Sequence, residues 1–160
     1  MRLAFHGYRA KDKSFNAKFQ THFDNSIPKL NVVPQDIGRV VLNLTNNAFY
    51  ACTERSRSGS VQTQDIASHS AQNYSPLVTV STKNLVDKVE IKIADNGSGI
   101  PDSAKEKIFQ PFFTTKPTGQ GTGLGLSMSY DIITNAHKGE MKVESNTGEG
   151  ATFIIILPID

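Results

Sequence analysis

The chain has 160 residues, a length that suits one domain with a single core. Hydrophobic residues make up 38% and charged residues 20%, an ordinary balance for a soluble globular protein, and the net charge of +2 leaves no large field to attract nucleic acid or a membrane surface. One cysteine, Cys52, excludes an intrachain disulfide and fits a reducing compartment such as the cytoplasm, while the longest wholly aliphatic run, 154–157, falls far short of the ~20 residues that span a bilayer.

The N-terminal stretch is locally basic (Arg2, Arg9, Lys11, Lys13, Lys18), lacks the apolar segment of a signal peptide, and reads as a solvated face or linker. Phe15, Ala17, Phe19, Thr21 and Phe23 then alternate with polar neighbours, which predicts a half-buried strand. A second extended stretch, 29–33, precedes Pro34, which stands where a first helical turn begins. From there Ile37, Val40, Val41, Leu44, Ala48 and Ala51 fall on one helical face, and Asn43 and Asn47 stack four apart on one side of it. Residues 53–76 are rich in Ser, Gln, Asn and Thr and read as a long mobile loop. The runs 77–82 and 88–94 alternate and predict an antiparallel hairpin. A glycine-containing break follows at 95–99, then a short helix over 102–109 and a connection over 110–122. A longer helix is expected from about 123 to 136 with Gly139 as its left-handed stop, then two strands, 140–145 and 151–157, joined by a Gly-containing turn. The layout predicts an α+β two-layer sandwich: a mixed, mostly antiparallel sheet of about five strands covered on one face by about three helices.

Three clusters carry chemistry. Asn43-Leu44-Thr45-Asn46-Asn47-Ala48 sets amide oxygens on an apolar helix, and an amide oxygen is a neutral hard donor of the kind Mg²⁺ accepts alongside phosphate and water. Asp95-Asn96-Gly97-Ser98-Gly99-Ile100-Pro101 puts a carboxylate at a strand end, where it can accept a bond from an adenine amine while the glycines allow backbone to approach a flat base. Gly119-Gln120-Gly121-Thr122-Gly123-Leu124-Gly125-Leu126-Ser127 opens the long helix with repeated backbone N–H groups suited to an anion, and Lys116 just before it can reach a terminal phosphate. Each cluster alone also fits a plainer reading: helix polar groups bonding nearby backbone, a common Asp-Asn-Gly turn, a flexible loop with a surface lysine. No P-loop, no Rossmann fingerprint and no protein-kinase catalytic loop occurs in the sequence.

In this order the clusters resemble the boxes of the histidine kinase catalytic domain, part of the ATP-binding superfamily shared with type II topoisomerases and mismatch-repair ATPases. The N box resembles 43–48, the first glycine box 95–101, the phenylalanine box Phe109-Gln110-Pro111-Phe112-Phe113 and the second glycine box 121–127, and Gly148-Glu149-Gly150-Ala151-Thr152-Phe153-Ile154 is similar to the family's last strand pair. The resemblance implies a Bergerat-type ATP-binding domain over 15–160, with 1–14 as the end of a preceding dimerisation helix and linker, and Mg-ATP as its ligand.

The resemblance also implies roles. Asn47 would hold Mg²⁺ and Asn43 would line the phosphate site. Asp95 would bind the adenine amine, with Gly99 beneath the base and Thr152 nearby. Residues 109–121 would cover ATP as a lid, with Lys116 on a phosphate, and Gly121, Gly123 and Gly125 would approach the phosphates by backbone. The implied contact set further takes in Gly97, Ile100, Phe112, Thr115, Thr122 and Leu124. Where the superfamily's ATP hydrolases carry a glutamate, this chain has Asn43, and an amide cannot serve as general base. That implies γ-phosphoryl transfer to a histidine on a separate dimerisation domain, with a response regulator receiver domain downstream. The alternatives are an ATPase or anti-sigma-type serine kinase of the same superfamily, or a non-catalytic nucleotide-binding module. The expected state of the isolated domain is a monomer without membrane contact, from a parent that could itself be membrane-anchored. Tyr50 departs from the family, many members of which carry a basic residue there. His6 reads as a linker histidine, and His22, His69 and His137 as ordinary surface or strand residues.

Overall fold

The computed structural model describes residues 17–61, 74–119 and 121–159; the N-terminal stretch with His6, and His69, lie outside them. Five strands form one sheet: β1 (Lys18–His22), β2 (Leu77–Asn84), β3 (Lys88–Asp95), β4 (Glu140–Asn146) and β5 (Gly150–Pro158), in the order β1-β2-β3-β5-β4. β1 runs parallel to β2, with Lys18 opposite Leu77, and the other three pairings are antiparallel. A parallel pair needs a crossover, which here is the helix α1 (Pro34–Val61).

Strand alternation sorts the two faces of the sheet. Val78, Val80, Val89, Ile91, Ile93, Ala151, Phe153, Ile155 and Leu157 are buried on the side that α1 covers. The opposite face carries the partly exposed pair Lys92–Glu90 (3.2 Å) and the exposed pair Lys142–Glu140 (2.8 Å), the latter of little weight for stability. The α+β sandwich with helices on one face is therefore as expected.

α1 buries Val40, Leu44, Ala48 and Cys52, a row spaced by four, together with Phe49 and Thr45. Phe49 and Leu44 are fully buried, each contributing about 1.5–3 kcal/mol. Val33 O accepts from the N–H groups of Asp36 and Ile37 at 3.1 and 3.2 Å, closing the first turn around Pro34.

The structure corrects several expectations. The stretch expected to leave the helix at 53 stays helical through Val61, with the hydroxyls of Thr53, Ser56 and Ser58 absorbed by the carbonyls of Phe49, Cys52 and Glu54. The 102–109 helix is shorter, α2 (Asp102–Lys105), followed by turns. The next helix, α3 (Gly125–Asp131), begins two residues later than expected and passes into a π-helical turn over Ile132–Ala136. Its left-handed residue is Lys138 (φ 53°), whereas Gly139 is small because a Cβ there would meet Ile156 O at 2.4 Å. His137 is buried and clamps two elements: its Nε2 accepts the Val33 N–H at 3.1 Å, which leaves Nδ1 to donate to Ile132 O at 2.8 Å.

Candidate functional site

A cavity of about 550 Å³ opens where α1, the turn after β3, residues 113–116, 119 and 121–123 and the start of α3 converge, a size typical of small-molecule sites. One wall is a single stripe of α1, residues 43, 47, 50 and 51, spaced for one helical face.

At one end of that stripe Asn43 donates through Nδ2 to Ser129 Oγ at 3.0 Å. Its Oδ1 sits against Gly125, where an added Cβ would lie at 2.4 Å. A side chain at 125 would displace the Asn43 amide from this position. Asn47 offers Oδ1 to the ammonium of Lys116 at 2.9 Å, and the same ammonium lies 4.5 Å from the centroid of the Tyr50 ring. Burial lowers the pKa of Lys116 below the usual amine value.

At the other end Asp95 closes β3. Its Oδ1 accepts the N–H of Gly97 at 2.8 Å and that of Ala151 at 3.4 Å. Burial pushes this carboxyl up to about 6, against the lowering effect of those two bonds. The turn beyond it is pinned from three sides. Ser98 N–H reaches Ala51 O on α1 (3.3 Å), Arg55 Nη1 donates to Asn96 O (2.7 Å), and Gly148 N–H reaches Ser98 O (2.7 Å). The Asn96 amide accepts the N–H of Leu77 at 2.8 Å and the Tyr74 hydroxyl at 3.2 Å, and donates to Ser75 O at 2.9 Å. Gly99 needs its lack of a side chain twice over, with φ at +71° and Asn146 O 2.2 Å from where a Cβ would stand.

Most of the expected site residues line this one cavity: Asn43, Asn47, Asp95, Gly99, Ile100, Thr115, Lys116, Gly121, Thr122, Gly123 and Gly125. Four do not. Gly97 packs on α1, with Ala51 C 2.5 Å from a Cβ position. Phe112 is 75% exposed with a left-handed backbone (φ 65°), and Phe113 takes the lining place instead. Leu124 is the residue before α3 and does not line the cavity. Thr152 points to the other face of β5, into a shallow groove beside Glu144 and Glu149, while its neighbours Ala151 and Phe153 face the cavity. Sequence reasoning missed Tyr50, Ser98, Thr114 and Ala151 as lining residues. The i, i+4, i+7 stripe from Asn43 and the alternation running back from Ile155 are the signals that identify Tyr50 and Ala151.

The profile of the "Histidine kinase-, DNA gyrase B-, and HSP90-like ATPase" family matches residues 32–160. The chain belongs to this family. Among its relatives, the signal transduction histidine-protein kinase AtoS of Escherichia coli (strain K12) is 39% identical over 143 residues, 89% of this chain and 20% of AtoS. The sensor protein FixL of Bradyrhizobium diazoefficiens is 38% identical over 122 residues, 76% of this chain and 20% of FixL. The chain thus spans about a fifth of these relatives. The solved catalytic domain of the histidine kinase ThkA superimposes with a TM-score of 0.71 at 28% identity, covering 99% of this chain and 90% of that one. The described domain corresponds to the ATP-binding catalytic domain of sensor histidine kinases. Among the described residues no helix is long and apolar enough to cross a membrane.

Proposed function

We propose that this domain binds Mg-ATP in the cavity described above and delivers the γ-phosphoryl group to a histidine nitrogen on a dimerisation domain of the same protein. The observation that carries this reading is that Asn47 and Asp95, from two different elements, open into one cavity. Oδ2 of Asp95 has no protein partner among the described residues and is free to accept the adenine amine. Gly99 and Ile100 flank that end, and Lys116, Thr115, Gly121, Thr122, Gly123 and Gly125 serve the phosphate end. The segment expected to be the lid, 109–121, covers the bound nucleotide.

The residues fit a magnesium ion. Asn47 Oδ1 is a hard neutral oxygen already turned towards a cation, and among the described residues no acidic or histidine cluster competes for a metal. One protein oxygen is enough when phosphates and water complete an octahedron. Magnesium supplies charge neutralisation on the phosphates. This chain's own residues orient the nucleotide, exclude water and line up the phosphorus with an acceptor brought from outside. Transfer breaks the bond from phosphorus to the ADP oxygen and forms one to the imidazole nitrogen. Asn43, committed through Nδ2 to Ser129, has no basic atom to take a proton from water, which disfavours hydrolysis.

A response regulator receiver domain is the proposed final acceptor; ThkA has been solved in complex with the response regulator protein TrrA, and that ThkA chain matches this one at 26% identity and a TM-score of 0.66. Calorimetry with ATP and ADP tests the binding step, and radiolabelled Mg-ATP added with the dimerisation domain tests transfer. Heat with ATP and label on the histidine are expected. No heat at millimolar nucleotide overturns the reading.

A further inference from the structure

The Lys116 ammonium is half buried and pairs with no carboxylate among the described residues. Its neighbours are an amide oxygen and the face of an aromatic ring. Its stem is held as well. The Lys116 N–H bonds Thr114 Oγ1 at 3.1 Å, and Gly121 packs so closely that a Cβ there would be 3.1 Å from Lys116 Cδ. We propose that Tyr50 is a positioning residue of the phosphate site: its ring seats the Lys116 ammonium on Asn47 Oδ1, so that Lys116 and a divalent cation compete for that oxygen. This rests on the reading of Asn47 as the metal ligand.

The competition follows from size and charge. An amide oxygen 2.9 Å from an ammonium nitrogen cannot also hold Mg²⁺ at about 2.1 Å without setting two cations side by side in a half-buried site. With Asn47 Oδ1 given over to a divalent cation, the Lys116 ammonium would be free to meet the phosphates. Tyr50 sets the threshold, because a better seat for the ammonium demands more metal to displace it. A basic residue at position 50 would repel Lys116 from this place, whereas a ring attracts it.

The test is calorimetric titration of the chain with ATP over a series of Mg²⁺ concentrations, reading the Mg²⁺ concentration that half-saturates ATP binding. Tyr50→Leu removes the ring face and is expected to lower that midpoint about two- to five-fold, the size of a partly exposed cation–π contact. Tyr50→Phe keeps the face and is expected to shift the midpoint less than Tyr50→Leu does. Lys116→Met removes the competitor and is expected to lower the midpoint too, while weakening ATP binding at saturating Mg²⁺. An unchanged midpoint in either Tyr50→Leu or Lys116→Met overturns the proposal, as does a Phe variant that shifts as far as the Leu variant. Should Tyr50→Leu fail to fold on thermal melting, the Lys116→Met midpoint decides alone. ATP binding that ignores Mg²⁺ sinks the competition yet leaves the nucleotide site standing, whereas no ATP binding at all removes both.

Discussion

The backbone N–H of Gly97 points at Oδ1 of Asp95 from 2.8 Å, and the second carboxylate oxygen has no such partner among the described residues. A half-satisfied, partly buried carboxylate is costly to the fold and valuable to a ligand. Asp95→Asn should therefore raise the melting temperature near neutral pH while weakening ATP about ten- to a hundred-fold, the size of one charge-assisted bond. A variant that melts lower and binds ATP as well as the parent would contradict both halves.

The same group sets a pH dependence. Its folded value of about 6 lies above the ordinary 3.8, so folding favours the protonated form. The stability this linkage gives is fully present below pH 3.8 and is lost as pH rises through 6, about 3 kcal/mol in all. ATP binding should show the opposite trend and weaken as pH falls below about 6, since the ionised carboxylate is the acceptor. Urea unfolding and ATP titration over pH 5–8, each compared with Asp95→Asn, should show the variant flat in that window for this contribution.

Arg55 supports the turn that carries Asp95, donating to Asn96 O at 2.7 Å while its guanidinium lies 4.6 Å from the Tyr74 ring centroid. Arg55→Ala should cost about 1–3 kcal/mol in urea unfolding and weaken ATP several-fold, with Arg55→Lys between the two. If ATP affinity holds while stability falls, Arg55 serves the fold alone.

Gly125→Ala drives a methyl group into Asn43 Oδ1. The neighbouring atom belongs to an amide bonded to Ser129, so either that bond breaks or the helices part. A loss of about 1–3 kcal/mol and a clear drop in ATP affinity are expected. Calorimetry and thermal melting together check this, and a neutral result would mean that α3 moves freely.

His137→Leu leaves the Val33 N–H without its partner and removes the bond to Ile132 O. Thermal unfolding should show a loss of about 1–3 kcal/mol, with ATP binding at saturating nucleotide little changed.

Much of this was legible in the sequence because periodicity and glycine speak locally. The strand alternation at 77–82 and 88–94 and the Asn43, Asn47 spacing led to the sheet and one wall of the cavity. What stayed hidden depends on contacts between distant segments. Polar composition at 53–61 suggested a loop, yet the hydroxyls of Thr53, Ser56 and Ser58 bond within their own helix, an option composition does not reveal. His137 looked ordinary because its partner, Val33, lies 104 positions away. Thr152 was misplaced by one residue, which on a strand means the opposite face. Tyr50 registered only as a departure from a family pattern, and its ring acquires meaning once Lys116 is folded over it.

α1 carries Asn47 near its middle and Arg55 two turns further on, a separation of about 12 Å along one rigid rod. The grip on phosphate and the support for the base-binding turn are thereby mounted on a common beam. A tilt of that beam, from whatever abuts its ends, would loosen or tighten both grips at once, so nucleotide affinity responds as a whole and not end by end.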